Sequence, residues 1–265
     1  MRKNPVKEKL RRGEVSFGTW LSFGDLYATR VLARMGFDWL TLDIEHSAID
    51  WSQATTIFGA IADAGCVPLA RVPEGTHHYI KRVLDAGAWG IVVPMVDTVE
   101  QAKIAVAAAY YPPTGNRSVG GGMHSMNFGA TAGDYYNQAN DNSLVVLQTE
   151  SPRGVENAEG IYSLPGVDAI FIGPNDLRFQ MRAPDGTFPT PEAHEAAVQQ
   201  VIKVGKKVKC PTGIHAMDPK SALERAAQGM QFIAVASDLR MMTQKAQETL
   251  DVLRPQGEKK DIARY

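Results

Sequence analysis

The sequence predicts a single (β/α)8 barrel, and three observations predict it. Short apolar runs recur eight times, helix-length amphipathic segments separate them, and 265 residues is an ordinary length for one such domain. Strands are expected near residues 15–20, 39–43, 67–71, 90–94, 144–149, 169–173, 211–214 and 231–236. Their near-continuous apolar character suits strands covered on both faces of a parallel sheet. Helices are expected over residues 26–35, 52–64, 76–85, 98–109, 155–163, 191–208, 219–228 and 238–253. Pro191 stands just inside one helix, and Gly36, Gly65, Gly87 and Gly229 stand just past others, as start and stop residues do. Asn4-Pro5 reads as the N-cap and first position of a short N-terminal helix. A doubly wound open sheet is the alternative fold, and no G-x-G-x-x-G follows the first strand to support it. Residues 110–142 are the long irregular stretch, and their Gly120-Gly121-Gly122 suggests a flexible lid. The polar tail, residues 254–265, is expected to fray unless it docks on a neighbouring subunit.

Composition narrows the function classes. A chain with 44% hydrophobic and 22% charged residues has ample core for a globular fold. Its net charge of -1 argues against a nucleic-acid footprint or a polybasic membrane surface. The basic start carries Arg2, Lys3, Lys7, Lys9, Arg11 and Arg12 but no apolar segment follows, so no secretory signal is read there. No apolar run is long enough to span a membrane. Cys66 and Cys210, far apart in sequence, are expected as buried free thiols of a cytoplasmic protein.

Barrels build their sites at the C-terminal ends of the strands. There this chain places Asp43-Ile44-Glu45-His46, Arg71, Gln148-Thr149-Glu150, Gly173-Pro174-Asn175-Asp176 and His215. Glu150 and Asp176 form an all-oxygen pair suited to Mg²⁺ or Mn²⁺, with water and substrate filling the remaining positions. The competing reading makes both of them helix-capping residues. His46 stands three residues after Asp43, a spacing at which the carboxylate can fix the imidazole tautomer. Arg71 ends an apolar strand and should point into the mouth, toward either a substrate anion or a rim carboxylate such as Glu45. His77, His78, His124 and His194 read as solvated surface residues. No lysine ends a strand, which argues against Schiff-base chemistry.

Several segments together resemble a known family. They are Phe17-Gly18-Thr19-Trp20-Leu21, Gly36-Phe37-Asp38-Trp39-Leu40 with Asp43-Ile44-Glu45-His46, Leu69-Ala70-Arg71-Val72-Pro73, Val93-Pro94-Met95-Val96, Tyr111-Pro112-Pro113 with Gly115-Asn116-Arg117-Ser118-Val119-Gly120, and Phe171-Ile172-Gly173-Pro174-Asn175-Asp176-Leu177. In kind and order they are similar to the HpcH/HpaI aldolases, metal-dependent class II pyruvate aldolases. The resemblance implies a hexameric (β/α)8 barrel whose last helix is exchanged between subunits. It implies an activity that cleaves or forms 4-hydroxy-2-oxoacids from pyruvate and an aldehyde, with Mg²⁺, Mn²⁺ or Co²⁺ as cofactor. By motif position, Glu150 and Asp176 match the metal ligands, and Asp43 and His46 the catalytic dyad. Arg71 and Gln148 match substrate contacts, with Gly173, Pro174 and Asn175 beside them. Asp85 matches a residue lent to the adjacent subunit's site. Arg178, where the family commonly has Ser, and His215, where many members are apolar, are departures that bear on the aldehyde. A related oxoacid lyase or decarboxylase, a macrophomate-synthase-like enolate enzyme and a non-catalytic metabolite-binding barrel are the alternatives.

Overall fold

The computed structural model describes residues 1–254, so the expectation for the tail beyond Arg254 lies outside the described residues. Eight parallel strands close into a barrel: β1 (Ser16–Leu21), β2 (Trp39–Asp43), β3 (Val67–Arg71), β4 (Gly90–Val93), β5 (Leu144–Thr149), β6 (Ala169–Ile172), β7 (Thr212–Ala216) and β8 (Phe232–Ser237). Each pairs with the next, and β8 returns to β1 through Ser16–Phe232 and Phe17–Ile233.

The helices are α1 (Pro5–Arg11), α2 (Leu26–Leu32), α3 (Trp51–Asp63), α4 (His77–Asp85), α5 (Val99–Ala109), α6 (Ala132–Asn142), α7 (Pro152–Glu156), α8 (Ala158–Tyr162), α9 (Pro174–Gln180), α10 (Pro191–Val208), α11 (Pro219–Ala227) and α12 (Asp238–Leu253). The helix expected over 155–163 is split at Asn157, whose backbone serves as the end of α7 and the start of α8.

Side-chain alternation sorts the strands into two apolar layers. Leu40, Leu42, Ala70, Ile91, Val145, Leu147, Ile170 and Ile172 face outward into the shell packed against the helices. Trp39, Val67, Leu69, Val92, Leu144, Val146, Phe171 and Phe232 fill the barrel interior. Gly18 makes that filling possible. A Cβ there would lie 2.0 Å from the Trp39 ring, which stacks on Phe232 with centroids 4.3 Å apart. Because a strand repeats every two residues, Asp43, Arg71, Gln148 and His215 share the inward parity of this interior layer. They stand at or near its C-terminal end.

The opposite end is floored by α1. Asn4 caps that helix through the Val6 and Lys7 amides and bonds the Asn142 carbonyl, while its own N–H reaches the Asn142 side chain. Lys7, buried, donates to the Ser143 carbonyl at 2.6 Å and to Asp168 at 3.0 Å. The stretch 110–142 differs from expectation. It contains a 3₁₀ helix (Met123–Phe128) and α6, and it lies at the floor rather than over the mouth. Any segment from a helix to the next barrel strand must start and end at the strands' N-terminal side. Its anchor is Arg117, whose wholly buried side chain donates to Asp85 at 2.7 Å and to the Tyr135 hydroxyl at 3.1 Å. Phe128 packs on Trp89, and the Phe128 carbonyl accepts the Arg2 amide.

Candidate active site

At the C-terminal rim, the β2–β3 register sets Asp43 directly beside Arg71. The result is a fork-to-fork pair: Arg71 Nε donates to Asp43 Oδ1 at 2.9 Å and Nη2 to Oδ2 at 2.6 Å. Glu45 Oε2 lies 3.2 Å from the same Nε. The guanidinium carbon also sits 4.7 Å from the Trp20 ring centre. Burial works against the charge on Arg71, but Asp43 and Glu45 outweigh it and hold its pKa above the usual range. The salt-bridge reading of Arg71 is thus realised, and the same group still faces the mouth.

The Asp43–His46 side-chain pair expected from the sequence is not formed. Asp43 Oδ1 accepts the backbone N–H groups of both Glu45 and His46 at 3.2 Å, in addition to Arg71. That carboxylate fixes the loop and holds Arg71, with no hydrogen bond to the imidazole. The His46 ring instead turns to Glu45, with Nε2 to Oε2 at 3.6 Å, and its side chain is 46% exposed.

Glu150 continues β5 into the rim and is almost fully buried. Gln148 Nε2 donates to its Oε1 at 2.6 Å, and the Met95 N–H to its Oε2 at 2.9 Å. Met95 adopts a left-handed backbone (φ 52°), a strained turn at the end of β4 that aims this N–H at the carboxylate. Gly173 closes the other side, where a Cβ would lie 2.1 Å from Glu150 Oε1. Burial pushes the Glu150 carboxyl up to about 8 against the Met95 bond, and Asp176 adds repulsion. Burial likewise raises Glu45, to which Asp43 and Asp176 add. Three carboxyl groups, Glu45, Glu150 and Asp176, therefore share one field.

The capping alternatives fail on geometry. Ser151, not Glu150, caps α7, and the N-cap of α9 is Gly173, with Asp176 exposed in the first turn. Pro174 is the first residue of α9, its carbonyl accepting from or facing His194 Nε2 at 3.0 Å, and Asn175 is exposed at the rim. A divalent cation fits what is present. The donors are all oxygen, the Glu150 carboxyl is destabilised by burial and repulsion, and Glu45 Oε2 and Gln148 Oε1 are buried without a hydrogen-bond partner among the described residues. No set of three or more His, Cys, Asp or Glu side chains among the described residues makes a preassembled cage, so water and substrate would complete the shell of Glu150 and Asp176.

Other expected residues lie elsewhere. His215 falls inside β7, which runs two residues further than expected. Its Nε2 contacts the Ala236 carbonyl at 2.8 Å, and its ring packs 6.0 Å from Trp20. Burial lowers it to about 4, a neutral wall residue rather than a free rim donor. Asp85 ends α4 at the floor, away from its own rim, and holds Arg117. Arg178 is exposed and lies 4.7 Å over the Phe188 ring. His124, expected on the surface, is buried against Tyr135 with centroids 4.4 Å apart. Cys66 and Cys210 are free and buried as expected. Among the described residues no helix is long and apolar enough to cross a membrane. Sequence reasoning named Glu45 only as a rim partner for Arg71, which it is, and missed Arg117 as the loop's anchor. Both stand in the quoted motifs, which carried the signal.

Comparison with known proteins agrees with this fold. A 2-keto-3-deoxy-L-rhamnonate aldolase of Klebsiella pneumoniae is 37% identical over 243 residues, 91% of this chain and 90% of that one. A hydroxypyruvate/pyruvate aldolase of Chromohalobacter salexigens is 37% identical over 249 residues, 94% and 96% of the two chains. The crystal structure of an HpcH/HpaI aldolase/citrate lyase family protein from Burkholderia cenocepacia superposes with a TM-score of 0.87 at 34% identity, covering 95% of this chain and all of that one. Residues 16–244 match the family as a whole. The chain belongs to the HpcH/HpaI aldolase/citrate lyase family, a family of carbon–carbon lyases.

Proposed function

We propose that this protein is a divalent-metal-dependent aldolase that reversibly cleaves a 4-hydroxy-2-oxoacid into pyruvate and an aldehyde. One observation carries the reading: a buried, destabilised Glu150 carboxyl meets Asp176 at the rim where Arg71 keeps its charge. The names of the two aldolase relatives point the same way. Glu150 and Asp176 would hold Mg²⁺, Mn²⁺ or Co²⁺, which when bound supplies Lewis acidity toward the oxygens of a 2-oxoacid.

The remaining chemistry belongs to the chain. Arg71, locked by Asp43, presents a fixed positive charge to the C2 oxygen, which gains negative charge only as the C3–C4 bond breaks. Gln148 orients Glu150 through its amide N–H and keeps Oε1 for a donor in the site. His46, at the exposed edge, takes the proton from the C4 hydroxyl and returns it to C3 of the pyruvate enolate. Gly173, Pro174 and Asn175 form the close backbone wall beside the substrate.

Assembly forms part of the same proposal. Met242, Leu250, Val252 and Leu253 of α12, Tyr27 and Val31 of α2, and Met35 just after α2 are exposed. A hexamer that buries α12 on a partner, and that brings Asp85 from the floor of one barrel to the rim of another, is consistent with this distribution. Exchange of the pyruvate methyl protons in heavy water tests the chemistry. Exchange that disappears with chelator and returns with Mg²⁺ or Mn²⁺ is expected. Full exchange in excess chelator, or none under any condition, would overturn the reading. Light scattering tests the assembly, and an active monomer at micromolar concentration refutes it.

A further inference from the structure

His215 brings a hydrogen-bond acceptor to the mouth on a side chain that carries no charge. It is the last inward-facing residue of β7 and pairs in register with Ala234 of the interior layer. Its ring lies 6.0 Å from that of Trp20, which in turn carries the Arg71 guanidinium at 4.7 Å. His215 is thus one aromatic ring away from the charge that the site presents to a 2-oxoacid. Its Nε2 lies 2.8 Å from the Ala236 carbonyl. A carbonyl only accepts, so Nε2 carries the hydrogen, and a neutral imidazole then has a bare lone pair on Nδ1. Burial, followed by the charges of Arg71 and Arg240, keeps the ring neutral against the Ala236 bond.

The backbone holds this orientation. Between Gly18–Ala234 and Trp20–Ser237 the β1–β8 register slips, which leaves Ala236 as the extra residue of a bulge. Ala236 takes a left-handed conformation (φ 53°), strained for an alanine, and its carbonyl is the one that receives Nε2. Nδ1 makes no hydrogen bond among the described residues, and unlike Glu45 Oε2 and Gln148 Oε1 it is not sealed from solvent. An inward side chain at the end of a barrel strand meets solvent through the mouth. A leucine would fill the wall beside Trp20 with no polar atom to satisfy, so the lone pair is what the imidazole adds.

We propose, resting on the aldolase reading above, that His215 is a specificity-determining residue whose Nδ1 accepts a hydrogen bond from a substrate hydroxyl other than the one that reacts. The favoured substrates are then hydroxylated. An O–H donates to the lone pair, a methyl group leaves it unpaired once water is displaced, and a carboxylate meets it acceptor to acceptor. Such a hydroxyl has two sources: C3 of the 2-oxoacid, or the carbon next to the aldehyde carbonyl. His215 moves no proton in either case.

Near-isosteric substrate pairs test this in the full-length protein with Mg²⁺ or Mn²⁺. In one arm glycolaldehyde is compared with propanal, pyruvate being the partner. In the other 3-hydroxypyruvate is compared with 2-oxobutanoate, the aldehyde being held constant. In at least one arm, the ratio of kcat/KM for the hydroxylated compound to its analogue should fall about 10-fold from wild type to His215→Leu, the worth of one neutral hydrogen bond. Intrinsic reactivity cancels in that comparison, and the arm that responds locates the hydroxyl. His215→Phe, which also lacks the lone pair, carries the test if His215→Leu does not fold. His215→Asn, whose amide oxygen can stand where Nδ1 does, should keep part of the preference. Ratios unchanged in both arms, or an Asn variant no better than Leu, would overturn the proposal. Nitrogen-15 NMR of the wild type without metal or substrate should show His215 as the Nε2–H tautomer; an Nδ1–H tautomer or an imidazolium near neutral pH overturns the proposal whatever the reaction is. Absence of pyruvate proton exchange in the wild type would instead overturn the aldolase reading and leave the tautomer result standing.

Discussion

Replacing Gly173 by alanine should disable the site while leaving the barrel standing. Gly173 has an ordinary extended backbone (φ -87°), so alanine is not excluded by conformation. What excludes it is contact. The new Cβ would lie 2.1 Å from Glu150 Oε1, whereas real Cβ atoms essentially never approach a neighbour within 3.0 Å. Glu150 cannot simply rotate away, because Gln148 and the Met95 N–H hold one oxygen each. The carboxylate must retreat by roughly 1 Å, a misplacement that can cost about 10²-fold in rate. Loss of one of its two hydrogen bonds costs about 1 kcal/mol, too little to unfold a domain. Gly18→Ala is the contrasting control: its Cβ would meet the Trp39 ring at 2.0 Å inside the packed interior, and it should cost fold rather than function. Pyruvate proton exchange and Mn²⁺ titration would be followed beside urea denaturation. Gly173→Ala with wild-type Mn²⁺ affinity and kcat/KM within threefold would refute the reasoning, since it would place the working carboxylate elsewhere.

Three further outcomes are expected. Burial, with Arg117 nearby, lowers His124 to about 4 from 6.5, so between those values the unfolded chain binds a proton that the folded one does not. Its contribution is complete above pH 6.5 and is lost as pH falls toward 4, at up to about 1.4 kcal/mol per pH unit; His124→Phe should flatten that part of the stability–pH curve, and an unchanged slope refutes it. Lys7→Met strands the buried Asp168 and should cost roughly 3–5 kcal/mol in denaturant unfolding. Lys7→Met with Asp168→Asn should recover part of that loss, and equal losses for the single and double variants would contradict the pairing. Arg178→Ser should leave pyruvate proton exchange intact while changing the ranking of aldehydes in kcat/KM, and an unchanged ranking would make Arg178 a surface residue stacked on Phe188.

All eight strands were legible because parallel strands buried on both faces leave an unbroken apolar signature. The sequence readings missed where that signature is weak. α6 (AGDYYNQANDN) buries only Tyr135, Ala139 and Asn142, so it follows a glycine run with almost no apolar period to mark it. α9 begins with Pro174 at its first position, a start signal hidden by the chemical interest of the residues around it. Glu150 and Arg71 were legible as strand-end residues. The Asp43–Arg71 pair was not, since spacing puts Asp43 within reach of His46 and only the β2–β3 register sets it beside Arg71. His124 looked like a loop histidine because burial inside an aromatic cluster depends on Arg117 and Tyr135, which no local pattern ties to it.

The floor of the barrel also dictates a timetable. The residues of α1 find their partners far along the chain: Asn4 waits for Asn142, and Lys7 for Ser143 and Asp168. Until the chain has emerged as far as Asp168, a lysine ammonium and a capping asparagine that end up buried can only be solvated. Loop closure over such separations is slow to begin and cheap to extend. α1 should therefore dock late, as a latch on a barrel whose middle strands are already paired. In pulse-labelled hydrogen exchange during refolding, the amides of Lys7 and Leu10 should gain protection after those of Val145 and Val146.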